Sequence, residues 1–332
     1  MAQPLAKEVF SFGEGVVWGF DFIDETTLIV SRRSGELDII KLDNQQQQSL
    51  NAPTVHAKGQ GGLLDVKVLR RQDKVSFYVT YSKRLQEGGS TTVLAYADYV
   101  PGTILVWKEL LLAKAASSTS RHYGSRLLIV DDLVFMTVGD RGKRKKAQDL
   151  TTHNGKVLRL NLDGTPAANN PFLTVANALP EIWSYGHRNP QGIAFDAANN
   201  NLYVAEFGPR GGDEINRVDA GKNYGWPIIT HGKNYSGTSI GPNHQEGLEQ
   251  PIVYWTPSIS PSGMALQQQQ SSRRLLLSSL TDRDIKAVTL ESGQVVKQQS
   301  LFEEPLERVR HIALSPAGVI YFSTDTGKIF SL

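Results

Sequence analysis

The stretch QGIAFDAANNNLYVAEFG, residues 191–208, reads as strand, turn, strand. GIAF is short, apolar and opened by glycine. DAANNN is a cluster of turn formers, and LYVAEF is a second β-rich run. The pattern recurs. HIALSPAGVIYFSTDTGKIFSL (311–332) repeats it, and GMAL (263–266) opens another copy. A further strand of the type GELDII (35–40), GKVLRL (155–160) or GKIFSL (327–332) then follows a polar hairpin. The period is roughly 45–60 residues, as in propeller blades, and about six such blades fit the chain. The expected fold is all-β: a six-bladed β-propeller of four-stranded antiparallel blades, one domain over residues 1–332. A large β-sandwich or two stacked β domains is the alternative.

The composition agrees. The 332 residues include 30 Gly and 15 Pro, which punctuate short apolar runs. Helical periodicity is scarce, and WKELLLAKAA (107–116) is the best helical candidate. Charged residues make up 20% and the net charge is +2, so nothing pulls the whole chain toward nucleic acid or membrane. With no cysteine, disulfides, thiolate catalysis and cysteine-zinc sites are excluded. No apolar run is long enough to predict a membrane-spanning helix, and residues 1–10 lack the pattern of a signal peptide. Two glutamine runs, NQQQQSL (44–50) and LQQQQSS (266–272), read as exposed hairpin loops. GKRKKAQ (142–148) reads as a solvated basic loop.

Four polar stretches carry the chemistry. In GQGGLLDV (59–66), glycines flank Gln60 and leave its amide to project. In SRHYGSRL (120–127), His122 sits at a loop-to-strand junction and could serve as a base or simply brace the turn. YGHRNPQGIAF (185–195) sets His187, Arg188 and Asn189 side by side. GPRGGDEINRVDAGKNYGWP (208–227) follows it. Gly208 and Pro209 could turn carbonyls toward a hard cation, with Glu214 and Tyr224 on the next hairpin; a tight turn with solvent-facing acids is the alternative. In ERVRHIAL (307–314), Arg308 and Arg310 share one strand face. They would repel unless an anion or an acid lies between them; surface solubility is the other reading. The set suits a polyanionic planar cofactor, a divalent ion and a polar substrate.

Seven stretches, GQGGLLDV, HYGSRL, VGDRG, QDLTTHNGKVLRLNLDG, EIWSYGHRNPQGIAF, GPRGGDEINRVDAGKNYGWP and YWTPSISPSGMA, occur in this order. Together they resemble the soluble quinoprotein aldose sugar dehydrogenases, relatives of soluble quinoprotein glucose dehydrogenase. The resemblance runs from about residue 59 to 265 and resumes at Arg308. It implies a propeller that binds pyrroloquinoline quinone (PQQ) and Ca2+ and oxidises the anomeric hydroxyl of an aldose to the lactone. On that resemblance His122 is the base and Arg188 lies beside the reactive quinone carbonyl. Asn189, Arg308 and Arg310 bind the cofactor, and Gln60 lies at the sugar end. Gly208 and Pro209 give main-chain oxygens to one calcium, and Glu214 and Tyr224 match a second. His187 is a bystander. Trp255 forms an aromatic wall over the pocket or packs in the core. The implied partners are an aldose substrate and an external electron acceptor, for a monomer that is periplasmic or exported.

Four positions depart from the resemblance. Thr281 stands where a cofactor-binding lysine is expected, and His311 where an aspartate is usual. Phe207 stands where histidine is common. Arg121 replaces an acid that lines the sugar site in the glucose dehydrogenase. Two other readings follow from these changes and from the cation site: a propeller without cofactor that binds a sugar or a partner, or a calcium-dependent lactonase.

Overall fold

The runs between Gly, Asp and Asn turns become strands throughout a computed structural model that describes residues 5–269 and 272–332. After β1 (Lys7–Ser11), the first sheet is β2 (Val17–Phe22), β3 (Thr27–Arg32), β4 (Leu37–Lys41) and β5 (Gln46–Leu50). The second is β6 (Leu63–Arg71), β7 (Lys74–Arg84), β8 (Ser90–Tyr99) and β9 (Lys108–Leu112). The third is β10 (Gly124–Val130), β11 (Leu133–Val138), β12 (Lys156–Asn161) and β13 (Ile182–Tyr185). The fourth is β14 (Pro190–Asp196), β15 (Asn201–Glu206), β16 (Asp213–Arg217) and β17 (Val253–Trp255). The fifth is β18 (Pro261–Gln268), β19 (Arg273–Ser279), β20 (Ile285–Glu291) and β21 (Gln294–Ser300). The sixth runs β22 (Val309–Leu314), β23 (Ile320–Thr324), β24 (Lys328–Ser331), and β1 completes it antiparallel to β24. The fold is a six-bladed β-propeller.

Burial explains why the repeat is visible in the sequence. First and second strands are buried along most of their length, as in β14 and β15, so they read as unbroken apolar runs. The fourth strands β5 and β21 face water and carry little apolar signal. Five first strands share one more feature. β2, β6, β10, β14 and β22 each carry a register irregularity at their start. Such bulges re-aim side chains where a strand begins. Hydroxyl groups then tie successive sheets together. Ser31 Oγ donates to Leu64 O at 2.6 Å, Thr137 Oγ1 to Pro190 O at 3.0 Å and Ser262 Oγ to Val309 O at 2.7 Å.

The chain forms two compact units. One takes Met1–Lys83, Val93–Leu111 and Ser262–Leu332, the other Arg84–Thr92 and Leu112–Pro261. Within the second unit, Phe135 and Val157 of the third sheet pack with Ile193, Leu202 and Val204 of the fourth. Each such side chain contributes about 1.5–3 kcal/mol on burial.

Three local expectations fail. The first glutamine run is not a loop: its residues 46–50 are strand β5. Buried Asp38 holds that strand by accepting Gln47 Nε2 at 2.9 Å and Ser49 Oγ at 2.7 Å, and it pairs with Arg32 Nε at 3.1 Å. The period of two puts Gln47 and Ser49 on one face, and this anchor adds to the antiparallel ladder with β4. The second run begins inside β18, while Gln270 and Ser271 lie outside the described residues. WKELLLAKAA contains strand β9 rather than a helix. In WKELLLAKAA local propensity yields to pairing of β9 with β8. GKRKKAQ is solvated between β11 and β12 as expected, with residues 143–146 exposed, and it winds into a short 3-10 helix, Arg144–Gln148.

Asp38→Ala should therefore cost about 3 kcal/mol, because it strips three donors of a buried acceptor. Gln48→Lys on the same exposed strand should stay within about 0.5 kcal/mol. Thermal unfolding of the two variants checks the difference.

Candidate active site

His122 sits just before β10 with φ at +56°, and Gly124 and Ser125 also have positive φ. This backbone forms the irregular entry to the strand. Gly139 makes it possible, since a Cβ there would strike His122 O and lie 3.0 Å from Asn189 Oδ1. The imidazole Nδ1 lies 2.7 Å from Asp140 Oδ1. Asp140 is buried and also accepts Gly142 N at 2.7 Å and Trp226 Nε1 at 2.9 Å. An ionised carboxylate only accepts, so it fixes the proton on Nδ1 and makes Nε2 the basic nitrogen. Burial pushes the imidazole below its ordinary 6.5, and the charges of Arg188 and Arg121 add to that effect against the Asp140 contact. Burial alone would raise the Asp140 carboxyl, but its bond to His122, the Gly142 N–H and the Arg188 charge hold it below the usual range.

A second buried cation braces this loop. The Arg141 guanidinium, fully buried over the Tyr123 ring, donates to Ser90 O at 3.2 Å and Thr119 O at 2.9 Å, and to Arg121 O. Its own carbonyl accepts Ser117 Oγ and Thr119 Oγ1. The residues that lead into His122 are thus tied by a network of carbonyls and hydroxyls.

Arg188 is held by its main chain. Its N–H donates to Glu206 Oε2 at 2.7 Å, and its carbonyl accepts Asp140 N at 2.7 Å. Nη1 donates to Gly208 O at 2.6 Å and Phe207 O at 3.2 Å, and the guanidinium lies 5.4 Å from the Trp226 ring centroid. Asn189 turns Oδ1 inward to accept Gly124 N at 3.2 Å and Gln191 Nε2 at 3.3 Å. Among the described residues, Arg188 Nε and Nη2 and Asn189 Nδ2 have no protein partner, so three donors remain for a ligand. His187 bonds Glu206 Oε1 at 2.8 Å and Ser184 Oγ at 2.9 Å and stacks on Tyr224. It is a buried brace.

Asp213 holds Gly208 N at 2.8 Å while its other oxygen accepts Ser258 Oγ and Ser260 N. A Cβ on Gly208 would strike the carbonyls of Gly211 and Gly212. Pro209 is buried. A cavity of about 10 Å3 is lined by Arg188, Glu206, Gly208, Glu214 and Tyr224, among others. Burial and the neighbouring Glu206 push the Glu214 carboxyl up to about 8. Asn216 donates to both carboxylates at 3.2 Å, and among the described residues its own buried Oδ1 lacks a partner.

The remaining expected residues are placed as follows. Trp255 is half-buried on β17, and its carbonyl accepts Gly212 N at 2.7 Å. Gln60, Arg308 and Arg310 belong to the other unit. Gln60 is exposed in a turn before β6. Asp325 lies between the two arginines and accepts Arg308 Nε at 2.8 Å and Arg310 Nε at 2.7 Å. Arg310 also lies over Trp18 at 4.6 Å.

The glucose/sorbosone dehydrogenase pattern matches residues 15–331. The chain belongs to that family. Aldose sugar dehydrogenase YliI of Escherichia coli (strain K12) is 35% identical over 322 residues, which cover 93% of this chain and 86% of that protein. Quinoprotein glucose dehydrogenase B of Acinetobacter calcoaceticus is 31% identical over 253 residues, 67% of this chain and 51% of that one. The crystal structure of the soluble aldose sugar dehydrogenase from Escherichia coli in its apo-form superposes with a TM-score of 0.92 at 31% identity, covering 98% of each chain. The dehydrogenase is thus an oxidoreductase of the sugar dehydrogenase kind.

The residues that sequence reasoning passed over are Asp140, Trp226, Glu206 and Arg141. Asp140 and Arg141 sat inside VGDRG, quoted only as a matching motif. Nothing local marks that turn as the partner of a histidine eighteen positions earlier. Gly139→Ala should displace His122 and Asn189 together and lower the sugar dehydrogenase rate roughly a hundredfold. Steady-state kinetics beside a circular dichroism spectrum of the folded variant checks it.

Proposed function

We propose that this sugar dehydrogenase uses PQQ and calcium to oxidise the anomeric hydroxyl of aldoses to lactones, with His122 as general base. The observation that carries the reading is the 2.7 Å contact between His122 Nδ1 and buried Asp140. It orients a neutral imidazole whose Nε2 can take the C1 hydroxyl proton. When bound, PQQ supplies the two-electron acceptor for the C1 hydride. The fit rests on the chain's own donors: Arg188 Nε and Nη2 and Asn189 Nδ2 suit the oxygens of a quinone, and the Arg188 charge favours negative charge developing there. The quinoprotein name of the Acinetobacter relative supports the same choice.

Calcium fits best at the Glu206–Glu214 pair. Hard oxygen donors, a partnerless Asn216 Oδ1 and room for one water-sized occupant suit that ion, and Tyr224 lines the same cavity. At Gly208 and Pro209 a calcium would have to share the Gly208 carbonyl with Arg188 Nη1. For Arg308 and Arg310 we propose an anion-binding role in which a ligand carboxylate competes with Asp325. Gln60 and Trp255 are proposed sugar contacts. An external electron acceptor, a monomeric state and a periplasmic or exported location complete the proposal. No helix among the described residues is long and apolar enough to cross a membrane.

Reconstitution with PQQ and calcium should give dye-linked oxidation of aldoses. His122→Ala should lower kcat by about 10²–10⁴ without loss of fold, and an unchanged rate would remove the assigned base. The rate should fall as pH drops through a value below 6.5, because the folded imidazole resists protonation. A pH profile of kcat/KM reads that limb. Calcium should raise the thermal midpoint of the protein, and Glu214→Gln should remove most of that gain.

A further inference from the structure

Arg121 precedes the base and takes no part in the dyad. Its side chain is exposed, and among the described residues no carboxylate or other acceptor pairs with it. It is nonetheless placed. Its carbonyl is fixed by the buried Arg141 guanidinium. Its own guanidinium lies against Gly142, where a Cβ would stand 3.1 Å from Nε and 3.4 Å from Nη2. Gly142 in turn donates to the same Asp140 oxygen that faces His122. The Arg121 charge is felt at the imidazole. The adjacent acid, Asp140, is committed to His122, Gly142 and Trp226 and does not neutralise Arg121. A second cation, Arg188, acts on the imidazole too. Two cations therefore act on the imidazole, and the planar fork of one of them stands uncommitted beside Gly142.

We propose that Arg121 is a specificity-determining residue that selects aldoses bearing an anionic substituent, a carboxylate or a phosphate, over neutral aldoses. This rests on the reading of His122 as the base. The guanidinium packs on Gly142, which shares the Asp140 oxygen with His122, and its planar fork matches either anion bidentately. The bond chemistry at C1 would be that of the neutral sugar: the C1 hydride would go to the quinone acceptor of the proposed function and the hydroxyl proton to His122, the C1–O bond would become the lactone carbonyl, and the anionic group would be kept.

The reconstituted enzyme is assayed with D-glucuronate, D-glucose 6-phosphate and D-glucose at two ionic strengths. The wild type should favour one or both anionic sugars, and the two arms identify which anion is preferred. Arg121→Ala should lower kcat/KM for the preferred anion about tenfold or more and leave D-glucose within about twofold, with the difference shrinking in high salt. Arg121→Glu should shift preference toward D-glucosamine, whereas Arg121→Lys should restore part of the anionic preference. Equal losses for charged and neutral sugars, or no wild-type preference for either anion, would overturn the proposal. Calorimetric binding of D-glucuronate to wild type and Arg121→Ala without PQQ reads the same preference apart from turnover. A full rate in His122→Ala would sink the base assignment while leaving the Arg121 ratio readable.

Discussion

One buried carboxylate organises the candidate active site. Asp140 accepts from His122, from the Gly142 main chain and from the Trp226 indole. Its own N–H reaches Arg188 O, and its carbonyl accepts Asn154 Nδ2 at 3.0 Å. Removing an ionised carboxylate from water costs several kcal/mol unless donors replace the lost hydration. Here three donors do so, and two of them, His122 and Trp226, come from chain segments that local sequence does not link to Asp140. The stability of the charge and the geometry of the site are consequently one requirement. Trp226 also lies beneath the Arg188 and Arg144 guanidiniums, so the same contact places the aromatic face on which the cation rests.

Glu206 does for the following segment what Asp140 does for the preceding one. It accepts His187 Nδ1, Arg188 N and Asn216 Nδ2. Arg188 is thus gripped through its backbone at both ends, N–H to Glu206 and carbonyl to Asp140 N. That leaves most of the guanidinium available. The His-Arg-Asn triplet divides its labour accordingly: His187 braces, Arg188 presents charge, and Asn189 presents an amide whose oxygen is already spent on Gly124 and Gln191.

The blade repeat was legible because buried first and second strands must be apolar along their length, as in residues 191–208. The outer strands were not, since exposure lets almost any residue stand there. The glutamines of β5 are the extreme case, fixed by Asp38 through contacts invisible to local pattern. Residue type and neighbours pointed to His122, Arg188 and Asn189. Asp140 and Arg141 were hidden because an acid or a base in a glycine turn looks like surface, and Glu206 because a charged residue ending a strand does too; only long-range contacts bury them. Arg308 and Arg310 show the reverse limit. Their shared face was readable, but the acid between them, Asp325, comes from the turn after β23.

The electrostatics of His122 also define what Asp140 does. A carboxylate 2.7 Å from an imidazole would by itself raise the proton affinity of the ring. The ring instead sits below its ordinary value, because burial and the charges of Arg188 and Arg121 outweigh the carboxylate. The imidazole is therefore held toward its neutral form, and on the proposed reading of His122 as the base Asp140 serves chiefly to choose the tautomer and aim Nε2. A base left protonated could not take the hydroxyl proton. One left unoriented would present either nitrogen. Burial next to cations solves the first problem and the fixed carboxylate the second, so the two must occur together. The same cations that hold the proton off the ring, Arg188 before Arg121, also favour negative charge beside it.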